Sequence, residues 1–465
     1  MNFGLDKCKT SSLIKGKIQI HQGYNTNNDI IEGLQQNETY KYLGLHQTPL
    51  LNHTNIKSEL KSKFQMRLKK ILNTQLNAKN KAIAINTYAV PLLTYSFGII
   101  KWSNTELDAL NRTVRTTATK YRIHHPQSSS ERFTLPRIEG GRAFIDIKNI
   151  HYEQLKNLRN YFLSRTDSSL HQTVISSDDS ITPLCLSNQN FDVNQSIKTN
   201  KEKIEMWKNK QLHGKHIYNL TQPHIDKEAS NQWLKSGQLY AETEGFMIAI
   251  QDKIISTRNY KKHILKQPIP SDLCRICNEQ IETIDHITSG CRILAPKQYT
   301  KRHDNVCKII HENLAFKHSL IDTHIPYYKY TPPPVIENNN FKLYWDRSII
   351  TDRTIGHNRP DITLIDKKNK ITYLIDIAIP NTNNIQSKHE EKIEKYLSLA
   401  EETRQMWHQN KTIIVPIIIS ATGVVPKSLH RSIKTIDLHP KLFKNLQKAV
   451  IIDTCSMVRQ TLNQQ

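Results

Sequence analysis

The sequence predicts an α+β chain of several domains, in which helical regions and a small metal-binding knuckle precede a C-terminal α/β domain. Apolar residues recur at helical spacing from Ile56, cysteines and a histidine cluster within residues 274–291, and two β-rich runs flank a polar turn after Arg359. At 465 residues, the chain has room for several domains of about 100–200 residues each.

The chain is strongly basic, with a formal net charge of +23, and over half of this excess lies in residues 1–165. Charge of this size favours phosphate backbones, because binding releases condensed counterions. Nucleic acid is therefore the expected partner, and a basic protein without such a partner is the alternative. The sequence has no apolar run of membrane-spanning length and no secretory signal pattern, so we expect an intracellular protein.

Residues 1–50 carry short β-like runs that are too few to form a domain alone, so we expect them to end a domain that begins upstream. Residues 51–165 are predicted to form a basic helical bundle. Its first buried stripe is predicted to contain Ile56, Leu60, Phe64, Leu68 and Leu72. Basic side chains outside the apolar stripes are predicted to contact nucleic acid, with a merely solvated face as the alternative: Lys57, Lys61, Arg67, Lys70, Arg112 and Arg115.

A loop with adjacent glycines, Gly140 and Gly141, follows these helices. Its Arg137 and Arg142 are candidates for phosphate contacts, and a plain turn is the alternative. Residues 166–200 are rich in Ser, Thr, Asn and Gln and are predicted to be a linker. Residues 201–265 return to a helical pattern that indicates no particular chemistry.

The spacing of Cys274, Cys277, His286 and Cys291 predicts a zinc site. Two cysteines two residues apart direct both sulfurs inward from one turn, and a histidine and a cysteine supply the second pair of ligands. The set leaves no open position, so the zinc is expected to be structural. Accidental burial of these side chains is the alternative, and His303 and Cys307 lie near enough in sequence to substitute as ligands.

Two β-rich runs, 359–366 and 371–379, flank the polar segment 367–370 and predict a hairpin. Asp361 lies near the start of the first run, and Asp376 lies inside the second. A charged, unpaired carboxylate within an apolar strand is costly, so Asp376 is expected to face a cation, a donor or a proton.

A helix predicted over 387–409 carries Lys388, Lys392 and Lys395 within one narrow stripe. Two carboxylates on adjacent strands and a lysine from a neighbouring helix can bind Mg²⁺ or Mn²⁺ and orient a water for phosphodiester hydrolysis. Residues 412–420 are predicted to be a buried central strand that tolerates Pro416 poorly, followed by two closing helices. The buried stripe of the lysine-bearing helix is predicted to contain Ile393, Tyr396, Leu397, Ala400 and Trp407.

The chain carries a series of motifs in a fixed order. They are residues 4–10 and 40–44, residues 135–142, the Cys/His cluster with Glu282-Thr283, residues 359–361, Asp376 and residues 391–396. This order resembles the carboxy-terminal half of the polyprotein of non-LTR (LINE-type) retrotransposons with a restriction-like endonuclease, most like the type that inserts into ribosomal DNA. The resemblance covers nearly the whole chain.

The resemblance implies an end of the reverse-transcriptase palm (1–50), a thumb-like bundle (51–165), a helical linker region (166–265), a CCHC zinc knuckle (266–320) and a restriction-endonuclease-like domain (321–465). Asp361 and Asp376 would ligate Mg²⁺, Lys392 and its neighbour Lys395 would stabilise charge or orient the nucleophile, and Arg359 would contact nucleic acid. The implied function is nicking of target DNA in the nucleus for target-primed reverse transcription, with target DNA and element RNA as partners.

In the wider nuclease superfamily, a lysine usually stands two residues after the second acid. In this sequence that position is Ala378. The lysine is therefore expected to have moved to the helix. Polymerase acids are not found, since Asp178-Asp179 lies in a Ser-rich loop, so the chain is not expected to polymerise alone. Two alternatives remain: a non-catalytic remnant that binds nucleic acid, and a zinc-stabilised scaffold for protein partners.

Overall fold

The computed structural model describes residues 8–464 except 16, 20–22, 26–29, 36–37, 43–44, 48–51, 166, 179–180 and 189–196. Parts of the palm-like motifs (4–7 and 43–44) and Asp179 lie outside the described residues. The chain is α+β, with about 51% helix and a five-stranded sheet in its C-terminal part. It forms two compact units, one of Met1–Thr74, Ala84–Thr117 and Ile145–Lys198, the other of Gln75–Ile83, Ala118–Phe144 and Thr199–Gln465.

Six short strands form three antiparallel hairpins in the first unit. They are β1 (Ser12–Ile14) with β2 (Lys17–Gln19), β3 (Gly23–Asn25) with β4 (Ile30–Glu32), and β5 (Tyr40–Tyr42) with β6 (Leu45–Gln47).

Helices make up most of the remaining chain up to residue 320. They are α1 (His53–Leu72), α2 (Ala78–Ala84), α3 (Pro91–Thr94), α4 (Asn104–Lys120), α5 (Ser130–Thr134), α6 (Ile147–Leu163), α7 (Ser169–Ser177), α8 (Asn200–Lys208), α9 (Gly214–Leu220), α10 (Lys227–Ser230), α11 (Gln232–Ser236), α12 (Ala241–Gln251), α13 (Ile284–Ser289) and α14 (Thr300–Lys317).

The first helix shows how the sequence sets these elements. Its N-terminus is capped by Asn52, whose side chain accepts a hydrogen bond from the Asn55 N–H at 3.1 Å. The predicted stripe is confirmed, since all five of its apolar side chains are buried. Each such side chain stabilises the fold by about 1.5–3 kcal/mol.

A mixed sheet in the order β11-β10-β9-β8-β7 carries the C-terminal part of the chain. Its strands are β7 (Val335–Glu337), β8 (Phe341–Trp345), β9 (Ile362–Asp366), β10 (Ile371–Ala378) and β11 (Lys411–Ile418). The predicted hairpin is confirmed: β9 and β10 pair antiparallel, and Asp366 closes the turn by accepting from the Asn369 N–H at 2.9 Å.

The strand β11 was predicted, over residues 412–420, to lie in the centre of a sheet, and the structure differs. β11 pairs only with β10 among the described strands, and it lies parallel at the edge of the sheet. An edge position explains Pro416, because a proline cannot donate to a second neighbouring strand.

Helices cover both faces of this sheet. One face packs on α14, α16 (Lys427–Thr435) and α17 (Phe443–Asn463), and the other face packs on α15 (Ile385–Met406). The predicted stripe of α15 is only partly right, since Tyr396 is buried but Ile393 and Leu397 are exposed. The face that meets the sheet instead runs through Tyr396, Leu399 and Thr403, which brings the lysine-bearing side of the helix towards Asp376.

Candidate metal centre and carboxylate site

Three thiols and an imidazole converge between α12 and α14, as the sequence predicts. The sulfurs of Cys274, Cys277 and Cys291 and a ring nitrogen of His286 all lie within 4.8 Å of one another. A turn closed by the Asn278 N–H, which donates to the Cys274 carbonyl at 2.8 Å, brings the first two thiols together. This set of ligand atoms can hold a metal ion such as zinc.

Neighbouring polar groups hold these ligands in place. The Nδ1 atom of His286 contacts Gln280 Oε1 at 3.0 Å, and its Nε2 atom lies 3.4 Å from Cys277 Sγ. The Tyr299 hydroxyl accepts from the Cys291 N–H at 3.0 Å and donates to the His286 carbonyl at 3.0 Å. Outer contacts of this kind fix the tautomer and orientation of metal ligands.

The chemistry of the cluster fits a cation. Burial raises the pKa of the Cys274 thiol to about 11, so a thiolate at this buried position needs a nearby positive charge. A coordinated divalent metal supplies that charge and deprotonates the thiol.

The two predicted carboxylates lie at the same end of the β9–β10 hairpin. The last pair in its register is Ile362 with Ile375, and one step beyond that pair Asp361 reaches the level of Asp376. The hairpin register therefore sets both acids at the same end of the strands. Asp361 contacts α14 and Asp376 contacts α15, which cover opposite faces of the sheet.

Asp376 is buried and surrounded by donors from α15. The Lys392 ammonium lies 2.5 Å from its Oδ2 atom and the Lys395 ammonium lies 3.7 Å from its Oδ1 atom. The Tyr396 hydroxyl donates to the same Oδ1 atom at 2.5 Å. Oδ2 is paired with the Lys392 ammonium, so both oxygens of this buried carboxylate have partners on α15. Asp376 thus has the cations that the sequence predicted for it.

Asp361 is held by different partners. Its Oδ2 atom accepts from the Ile377 N–H at 2.6 Å and contacts His303 Nε2, from α14, at 3.1 Å. Burial alone opposes ionisation of this carboxyl, but the contact with His303 and the Ile377 hydrogen bond lower its pKa. These contacts favour the ionised form of Asp361.

Sequence reasoning missed three side chains of this site. His303 and Cys307 were considered only as substitute zinc ligands, and Tyr396 only as an apolar side chain. In the structure, His303 and Cys307 lie with Asp361, with ligand atoms within 4.8 Å of one another. The burial of the Tyr396 ring beside Asp376 raises the pKa of its hydroxyl, so it acts as a donor.

The predicted nucleic-acid contacts on α1 and α4 have varied surroundings. Lys57 and Lys61 both pair with Glu106, and both lie over the Trp102 ring. Partial burial favours neutral Glu106, but hydrogen bonds from Lys57, Ser103 and Lys61 lower its pKa to about 2. Arg67 is exposed, and its guanidinium donates to the Tyr88 carbonyl at 2.8 Å. Lys70 and Arg112 are also exposed, whereas Arg115 is half-buried.

The expected phosphate contacts of Arg137 and Arg142 are wrong, because both side chains are buried. Both guanidinium groups pair with the carboxylate of Glu244, at 2.7 Å and 3.1 Å. Gly141 permits the turn that carries them, since a Cβ there would meet the Leu135 carbonyl oxygen at 2.0 Å. The loop is therefore a core structural element.

Replacing Glu244 with glutamine should destabilise the protein by roughly 3–5 kcal/mol, because two buried guanidinium groups lose the carboxylate with which both pair. Denaturant unfolding measures this loss. Glu228→Gln is the matched control, since Glu228 is an exposed carboxylate paired with Lys235, and a change of about 0–1 kcal/mol is expected. Equal effects of the two substitutions would contradict the assignment.

Arg359, the remaining predicted nucleic-acid contact, is exposed and pairs with Asp346 through two hydrogen bonds of 2.8 and 2.5 Å.

Within the described residues, no helix combines the length and apolarity needed to cross a bilayer. Neither protein-family models nor curated proteins give a match to this chain.

Proposed function

We propose that the chain is a divalent-metal-dependent DNA endonuclease that nicks target DNA and leaves a 3′ hydroxyl for reverse transcription. The observation that carries the proposal is the buried Asp376 carboxylate, which lies against two lysines and a tyrosine at the strand end where Asp361 also lies. Burial of this many charged groups in one place is costly, and charged groups of this kind cluster at functional sites.

Each side chain has a definite task in this proposal. Asp361 and Asp376 would hold Mg²⁺ or Mn²⁺, which offsets charge on a phosphate and lowers the pKa of a bound water. Lys392 and Lys395 stabilise charge that develops on the scissile phosphate, because fixed cations in a partly dry site act strongly on such charge.

Positioning of these groups comes from the fold. Lys392 is only 17% exposed at its side chain, so its ammonium is held near Asp376 rather than free in solvent. The Tyr396 hydroxyl also contacts the Arg359 carbonyl at 3.0 Å, which ties α15 to the segment just before Asp361. The ends of β9 and β10, together with α14 and α15, therefore pre-organise the two acids and the lysines.

The proposal predicts that the protein nicks supercoiled plasmid in Mg²⁺ or Mn²⁺, and that Asp361→Ala lowers the nicking rate by at least about 10²-fold, since a metal ligand is lost. Gel separation of supercoiled and open-circular plasmid measures this. Asp352→Ala, which removes an exposed carboxylate of the preceding loop, is the control and should nick normally.

Two outcomes would oppose this function. Salt-dependent DNA or RNA binding without any cleavage would favour the non-catalytic nucleic-acid-binding alternative, which rests on the basic charge of the chain. Equal nicking by wild type and Asp361→Ala would assign the cleavage to something other than this site.

A further inference from the structure

We propose that His303, Cys307 and Asp361 form a second metal site, distinct from the knuckle, that takes a borderline transition-metal ion of the Zn²⁺ and Co²⁺ class. His303 and Cys307 are one turn apart on α14, and Asp361 arrives from the start of β9. The inference shares Asp361 with the proposed nuclease site, but binding of a metal here requires no cleavage of DNA.

The distances suit a bound ion. His303 Nε2 lies 3.1 Å from Asp361 Oδ2, Cys307 Sγ lies 3.6 and 3.8 Å from the two ring nitrogens, and the ligand atoms all lie within 4.8 Å of one another. Ligand atoms around a tetrahedral ion at about 2.0–2.3 Å are separated by roughly 3.2–3.8 Å. The separations of Nε2 from Oδ2 and from Sγ, 3.1 and 3.8 Å, lie close to this range. The 3.6 Å approach of Sγ to Nδ1 means that the imidazole ring must turn as the ion binds.

The surroundings of His303 resemble those of a metal-bound imidazole. Its Nδ1 atom lies 3.2 Å from Asp304 Oδ1, so that carboxylate can accept the Nδ1 proton and leave Nε2 as the ligand nitrogen. Metal-bound histidines commonly carry such a carboxylate on the far nitrogen. An ion pair between His303 and Asp361 is the alternative explanation of their contact, and Cys307 also packs in the apolar core around the sheet.

Access and ligand type indicate which ion the site would take. The side chains of His303 and Asp361 are 29% and 21% exposed, whereas Cys307 is buried. A nitrogen, a sulfur and an oxygen donor suit borderline ions better than Mg²⁺, which prefers oxygen ligands. Three protein ligands with an open side leave a position for water, as in catalytic rather than structural zinc sites.

Cobalt titration of the full-length protein with zinc already in the knuckle tests this site. We expect one further Co²⁺ to bind, with a thiolate-to-cobalt absorption band in the near ultraviolet. Cys307→Ser should remove the band, and His303→Gln, which keeps a polar side chain of similar size, should weaken binding at least tenfold. Asp304→Asn should weaken it by about 10–100-fold.

The matched control is Cys455→Ser, which removes another buried thiol, on α17, and should leave the titration unchanged. Absence of a second bound Co²⁺, or equal binding by wild type, His303→Gln and Cys307→Ser, would leave only an ion pair and overturn the inference. Cobalt binding with no plasmid nicking would keep this site and reject the proposed function. Nicking without cobalt binding would keep the proposed function and reject this second metal site.

Discussion

Replacing Lys392 with methionine is expected to lower plasmid nicking by at least about 10²-fold, the loss typical when a fixed group that stabilises transition-state charge is removed. Methionine keeps the apolar stem and removes only the ammonium that lies 2.5 Å from Asp376 Oδ2. The initial nicking rate at saturating metal measures the effect.

Loss of fold must be separated from loss of function in that experiment. Removing one partner of a buried ion pair destabilises a protein by roughly 3–5 kcal/mol, so thermal unfolding is measured alongside. The double variant Lys392→Met/Asp376→Asn removes both charges and should regain stability without regaining nicking. Lys388→Met is the matched control on the same helix, because Lys388 pairs with Glu391 on an exposed surface. Wild-type nicking by Lys392→Met would contradict the role given to this lysine.

Removing metal from the knuckle is expected to unfold more than the knuckle itself. Its buried cysteines belong to an apolar cluster that includes Trp233 and Met247 and reaches Ile451 and Val458 of α17. Free energy of metal binding at such sites is also free energy of folding. A loss of about 5 kcal/mol would lower Tm by roughly 10–20 °C, at the slope of about 2–4 °C per kcal/mol found for domains of about 150–250 residues.

Thermal unfolding with and without a chelator, together with measured zinc content, tests this expectation. Cys277→Ser should show the low Tm without chelator, while Cys185→Ser, a substitution of a cysteine in the other compact unit, should keep both zinc and Tm. A chelator that removes zinc and leaves Tm unchanged would contradict a structural role.

The sequence alone predicted those features that depend on residues close together in the chain. Four ligands within 18 residues predicted the Cys/His cluster. Two β-rich runs around a polar turn predicted the hairpin that brings Asp361 and Asp376 to one end. The lysine stripe was also found, because residues three and four apart share a helix face. Its target, Asp376, followed from the cost of an unpaired carboxylate in a strand.

Contacts between distant segments escaped prediction. His303 meets Asp361 across 58 residues, and the buried pairing of Arg142 with Glu244 spans 102 residues. Nothing local distinguishes an arginine that will face phosphate from one that will be buried against a carboxylate. Packing also set the face of α15, since its lysine-bearing side turned to the sheet while Ile393 and Leu397 stayed exposed.

The most direct test of the central claim is whether the protein creates a primer end in DNA. Supercoiled plasmid is incubated with wild type or Asp376→Asn in Mg²⁺ or Mn²⁺, and a DNA polymerase with labelled nucleotides is then added. The account predicts open-circular plasmid that the polymerase extends at once after wild-type treatment, and none above background after Asp376→Asn. Plasmid that stays supercoiled, or that is nicked equally by both proteins, would contradict it.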